Sequence, residues 1–111
     1  MASTRDEIPS GTLDMLILKT LHTRNELHGF EIANAIQQRS EDVLRVDEGS
    51  LYPALQRMLL KGWIEGEWGK TQENRRARYY RITRAGRAHL EQELARYARV
   101  TTAIHRILQP V

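Results

Sequence analysis

Apolar positions recur at helical spacing through the first sixty residues, switch to alternation by two, and return to a helical period near the end of the chain. From about Gly11 to His22, Leu13, Leu16, Ile17 and Leu21 make one helical face, with Ser10 behind Pro9 placed to cap it. Met15 and Leu18 project elsewhere, so this helix is apolar nearly all round and expects cover on a second side, from a partner subunit. Arg24 to Gly29 breaks the pattern, after which Ile32, Ala33, Ala35 and Ile36 predict a shorter helix to about Arg39. Ser40 to Val46 reads as a connector in which Val43 to Val46 alternates like a very short strand. Asp47 caps a third helix, whose stripe Leu51, Leu55, Met58 and Leu59 faces inward and which Gly62 stops. Pro53, Gln56 and Arg57 then point outward. Pro53 removes a helical hydrogen bond, at about 3 kcal/mol where it is not accommodated, so something other than helix propensity retains it.

Trp63 to Trp68 and Ala77 to Thr83 alternate by two around the polar segment Gly69 to Arg76, a hairpin with Ile64, Tyr80 and Ile82 toward the core. Thr83 caps a last helix of about 25 residues, to near Leu108, spanning about 37 Å. Along it Leu90, Leu94, Tyr97, Thr101, Ile104 and Leu108 repeat at spacings of four and three, the seam of a coiled coil, which predicts dimerisation through this helix. The expected organisation is an N-terminal tail over 1–10, a DNA-binding winged helix-turn-helix over 11–83 and a dimerisation helix over 84–111. The fold class is mainly α with a β-hairpin wing (α+β).

Charge sharpens this picture. Between Gly69 and Arg87 seven basic residues (Lys70, Arg75, Arg76, Arg78, Arg81, Arg84 and Arg87) face the single acid Glu73, a local net charge of +6. The whole chain of 111 residues is only +3, so the remainder sums to −3. Charge so concentrated reads as a footprint for a polyanion. The absence of cysteine removes disulfides, thiolate metal sites and cysteine nucleophiles; His22 and His28 lie six apart across a helix boundary, and His89 and His105 on the last helix are read as without acidic partners at metal-binding spacing, so neither metal nor cofactor is expected. No signal-peptide core and no stretch of about 18 apolar residues is present, which predicts a soluble, cytoplasmic protein without membrane partners.

Three helices and a basic hairpin in this order make a winged helix-turn-helix, whose third helix enters the major groove. Ser50 and Gln56 suit phosphate or base edges, Tyr52 offers a hydroxyl to phosphate, Pro53 gives a flush surface, and Arg57 suits guanine, phosphate or an intramolecular acid such as Glu48 or Glu41. Lys70, Arg75, Arg76 and Arg78 suit phosphate neutralisation, Arg81 less so. Arg84 and Arg87 sit where positive charge opposes the helix dipole, although Arg87 can also pair with Glu91. Trp63 and Trp68 are read as packing residues.

The motifs Leu27-His28-Gly29-Phe30-Glu31-Ile32, Gly49 to Arg57 and Arg78 to Gly86 occur in order, and through them the chain resembles the PadR-like transcriptional regulators over roughly Gly11 to Leu90. The resemblance implies a homodimeric repressor whose last helix packs near the partner's first helix and which a small molecule regulates. It further implies a flat hydrophobic effector between the subunits, beside Met15, Leu18, Tyr97, Ile104 and Leu108. The chain looks like a short form, with one helix after the wing. The expected function is therefore sequence-specific binding of a double-stranded operator. The competing class is a winged-helix protein-interaction module, which the concentrated positive charge disfavours. An enzyme would need convergent acid–base or nucleophilic residues, and none is evident.

Overall fold

A computed structural model describes residues 6–9 and 11–110 of the chain. Four helices, α1 (Leu13–Arg24), α2 (Gly29–Arg39), α3 (Glu48–Leu60) and α4 (Arg84–Leu108), surround a small sheet. The sheet contains β2 (Glu26–His28), β4 (Ile64–Lys70) and β5 (Arg76–Ile82), antiparallel in the order β2-β5-β4. β1 (Asp6–Glu7) pairs in parallel with β3 (Leu44–Arg45), so two residues expected in the tail are tied to the connector after α2.

The core is made by Ile17, Leu18 and Leu21 of α1, Ile32 and Ile36 of α2, Leu51, Ala54, Leu55 and Met58 of α3, and Leu27, Ile64 and Tyr80 of the sheet. Asp47 caps α3 as expected, its carboxylate accepting from the Ser50 N–H at 2.9 Å, and Gly62 ends it with φ of +75°. α3 continues through Pro53, which is exposed. The helical acceptor that proline leaves unused is the Gly49 carbonyl. Thr83 caps α4, its hydroxyl accepting from the Gly86 N–H at 3.0 Å.

Several expectations change. α1 begins at Leu13 behind Thr12, whose side chain makes no capping bond, while Ser10 lies outside the described residues. Met15 and Leu18 are buried within the same chain, at 7% and 0% exposure. α1 packs on α2, α3, β5 and α4, so its second layer comes from its own subunit. Neither side chain presents a surface to a ligand between subunits. Leu90, assigned to the dimer seam, is buried in the same core. The break before α2 forms the strand β2, and the hairpin loop shrinks to 71–75 because β4 and β5 pair out to Lys70 and Arg76.

Beyond Leu90 most of the helix is exposed. Leu94, Tyr97, Val100, Ile104, Ile107 and Leu108 are exposed, and Thr101 is half-buried. At 3.6 residues per turn these six apolar side chains sweep about 140° of the helix, wide enough for a packed face.

Tyr80 carries a consequence for alkaline stability. Burial pushes its phenol above the ordinary value, opposed in part by the nearby Arg78 guanidinium. A raised folded-state value means the contribution is complete below the unfolded value of about 10 and is lost as pH rises through the folded one. Urea unfolding from about pH 9 to about pH 11 should therefore show declining stability that Tyr80→Phe makes shallower.

Candidate nucleic-acid interface

The outward side of α3 is a ridge between two hollows. Ser50, Pro53 and Arg57 line one of about 330 Å³, with Arg45 and Asp47, and Tyr52 lines the other, an open cleft of about 1030 Å³ that the wing closes. Gln56 and Leu60 are exposed, and at 100° per residue they lie between these two edges, on the crest with Gly49. Leu60, at 83% exposure, was not anticipated.

The position of Tyr52 explains why two of the sequence motifs occur together. A Cβ on Gly29 would lie 3.0 Å from the Tyr52 hydroxyl and 3.1 Å from its ring, so glycine at the start of α2 lets α3 approach. His28 caps α2, its Nδ1 accepting from the Glu31 N–H at 3.4 Å while Glu31 accepts from the His28 N–H at 3.0 Å. His28 also meets Tyr79 edge-on at 5.3 Å between ring centroids. β2 is thereby fixed against the wing, with its cap on the rim of the cleft.

Strand register separates the charges of the wing by face. Gly66 pairs with Tyr80, Trp68 with Arg78 and Lys70 with Arg76, and directly opposed residues share a face. From the core outward that face runs through Ile64, Gly66, Arg78, Trp68, Arg76 and Lys70. Arg76 lies over the Trp68 ring at 4.3 Å and Arg78 at 6.0 Å, within range of cation–π attraction. A Cβ on Gly66 would sit 2.6 Å from Arg78 Nε, so glycine makes room for the guanidinium. That buried Nε is without a hydrogen-bond partner.

The opposite face carries Glu26, Glu65 and Glu67 together with Arg81. Arg81 Nε donates to Glu65 at 2.7 Å, and Arg81 Nη1 lies 3.3 Å from Glu26 and 3.7 Å from Glu67. The hydrogen bond to Glu65 leads the effects that raise the Arg81 pKa. Arg81 is thus engaged in joining three strands. Lys70, Arg75 and Arg76 are exposed with no ion pair among the described residues. The tip is a tight turn: Asn74 takes φ of +63° and donates its N–H to Thr71, and the Thr71 N–H donates to Arg75. Asparagine tolerates this left-handed conformation, so Arg75 leaves the turn in a defined direction.

Arg57 also has a partner, though neither of those anticipated. It donates to Asp14 of α1 at 2.7 Å, with the Arg57 side chain 55% exposed. Asp14 lies 43 residues away and helical spacing carried no sign of the contact. Arg84 and Arg87 are exposed on α4, and Arg87 makes no ion pair with Glu91 among the described residues. Trp68, read as packing, is 57% exposed on the cleft, and Phe30 is 73% exposed beside it. Alternation alone could not place Trp68, because its setting follows from the cross-strand arginines.

Taken together, a ridge with an amide and an apolar crest is flanked by a stacked cationic face. This can enter a groove of about major-groove width while the cations neutralise a backbone. Among the described residues no cluster suits a metal ion, and no helix is long and apolar enough to cross a membrane.

The model of the transcriptional regulator PadR-like family matches residues 17–92. A transcriptional regulator from Clostridium thermocellum is similar over 89% of this chain and 95% of its own, with 26% identity and a TM-score of 0.81. A PadR-like regulator from Bacillus cereus is 30% identical over 91% of this chain and 95% of its own, with a TM-score of 0.74. PadR of Bacillus subtilis, solved in complex with operator DNA, shares the fold at 22% identity, with a TM-score of 0.67 over 78% of this chain and 48% of its own.

Proposed function

Because this chain belongs to the PadR-like family of transcriptional regulators, we propose that it binds a double-stranded operator sequence-specifically as a homodimer, represses transcription in the cytoplasm and is released by a small hydrophobic effector. The observation that carries the DNA reading is the α3 ridge beside a wing whose Lys70, Arg76 and Arg78 lie on the face opposite Glu65 and Glu67. The operator complex of the Bacillus subtilis relative supports it. In this reading Gln56 and Ser50 read base edges, Tyr52 and Pro53 fit the helix against the duplex, and Lys70, Arg75, Arg76 and Arg78 meet phosphates. Arg57 contributes after leaving or sharing Asp14.

Gln56→Ala tests the reading helix. It should lower affinity for the preferred operator by about tenfold while leaving scrambled duplex nearly unchanged, measured by competition binding. Equal losses on both duplexes would remove its reading role.

The dimer reading rests on the largely exposed apolar stripe from Leu94 to Leu108. The effector contacts fall to Tyr97, Ile104 and Leu108 on that stripe. Leu94→Asp or Ile104→Asp should yield folded monomers in sedimentation velocity, because both sites are solvent-exposed in one subunit and desolvated in the paired seam. A dimer of unchanged strength would place the interface elsewhere.

A further inference from the structure

A cleft of about 290 Å³ opens between α1 and α2, away from both the α3 ridge and the exposed part of α4. Its floor is apolar, made by Leu16, Ala35, Ile36 and Leu44, while Lys19, Arg24 and Arg39 stand around its rim. No acid is among its described lining residues. Among the side chains the structure describes, the three cations make no ion pair, and they belong to neither the wing nor the reading helix.

The other polar groups of the cleft are already engaged. The Thr20 hydroxyl donates to the Leu16 carbonyl at 2.7 Å and the Thr23 hydroxyl to the Lys19 carbonyl at 3.0 Å. The Ser40 hydroxyl donates to the Gln37 carbonyl and accepts from the Leu44 N–H, both at 3.0 Å. The strong donors left for a ligand are therefore those of the three cations. An apolar floor under donors of one sign is complementary to a molecule with an apolar body and one anionic end.

We propose that the α1–α2 cleft is a binding site for a small amphipathic carboxylate, its apolar part on Ala35, Ile36 and Leu44 and its carboxylate among Lys19, Arg24 and Arg39. The volume lies near the lower end of the range for small-molecule sites, which suits a single short chain or ring. A second copy's α4 is a poorer occupant, since from Leu94 to Leu108 that helix brings Arg96, Arg99 and Arg106 and no acid toward the same three cations. The inference goes beyond the regulatory reading and holds whether or not the protein binds DNA.

Octanoate is a suitable probe, titrated into the full-length ¹⁵N-labelled protein, with octan-1-ol and octylammonium as the uncharged and cationic counterparts. The site predicts saturating amide shifts at Leu16, Thr20, Ala35 and Ile36 with a Kd of about 1 mM or tighter. Octan-1-ol and octylammonium should bind at least about tenfold more weakly, as should octanoate to Lys19→Gln/Arg39→Gln and to Arg24→Gln. All three positions are exposed, so the variants should retain the parent spectrum elsewhere. Equal binding of octan-1-ol, shifts confined to Tyr97, Ile104 and Leu108, or no saturation would overturn the proposal. So would loss of the dimer in either variant by sedimentation velocity, which would identify a second copy as the occupant.

Discussion

Replacing Lys70, Arg75 and Arg76 together by glutamine is expected to weaken binding to every duplex by about a hundredfold at about 0.15 M salt. It should also flatten the dependence of log K on log salt by about three units, roughly 0.9 for each phosphate left unneutralised. These three side chains are exposed and make no ion pair among the described residues, so their removal should leave the fold intact. Apart from Glu73 in the loop, the hairpin's acids Glu65 and Glu67 lie on the far face, where Arg81 holds them and Glu26. Swapping the wing's charge therefore alters one face without freeing the other. Loss restricted to one operator, with an unchanged salt slope, would mean the wing reads sequence rather than neutralising phosphate. No loss at all would favour a protein partner for this surface.

The second large effect concerns how α4 is fastened. Gly86→Ala is expected to destabilise the domain by more than about 3 kcal/mol and lower its Tm by more than about 10 °C. A Cβ at this position would sit 2.0 Å from the Trp63 carbonyl oxygen and 2.8 Å from Ile82 Cγ1. That carbonyl is held in place, accepting the Thr83 N–H at 2.9 Å, while the Thr83 hydroxyl donates to the neighbouring Gly62 carbonyl at 2.6 Å. The clash can be relieved only by lifting α4 from the hairpin, which also separates Trp63 from His89, now stacked 3.6 Å apart at 11°. Gly62→Ala is the contrast. Its Cβ would meet nothing within 4 Å, so only the strain of φ at +75° remains, about 1 kcal/mol. Thermal unfolding with near-UV circular dichroism distinguishes the two, and equal small shifts would show that α4 is not seated on Trp63.

Features with a local signature were legible in the sequence. Asp47 before α3 and Thr83 before α4 are capping residues whose bonds form within three positions, and the period of α4 identifies its full length. Features that depend on distant partners were not. β2 has a single inward apolar residue, Leu27, and exists because β5, more than fifty positions later, supplies its pairing. Leu18 is as apolar as any seam residue, and only the packing of α2, α3, β5 and α4 around α1 decides that its own subunit buries it. Leu90 continues the spacing of the exposed stripe without a break, because a helical period cannot mark where a helix leaves its domain. In the candidate interface, the residue types were legible, while the sidedness of the wing required the register that opposes Trp68 to Arg78. The pairing of Arg57 with Asp14 likewise required knowing that α1 passes beside α3.

Sequence-specific binding of double-stranded DNA can be measured by fluorescence anisotropy at about 0.15 M salt, comparing a duplex from upstream of the protein's own gene with a scrambled duplex of the same length. Nonspecific binding is typically only about 10⁻⁴ to 10⁻⁶ M under these conditions. A preference of about a thousandfold or more for the upstream duplex is the predicted result. Absence of binding to any duplex, even at low salt where phosphate contacts are strongest, would mean that the α3 ridge and the wing do not serve DNA.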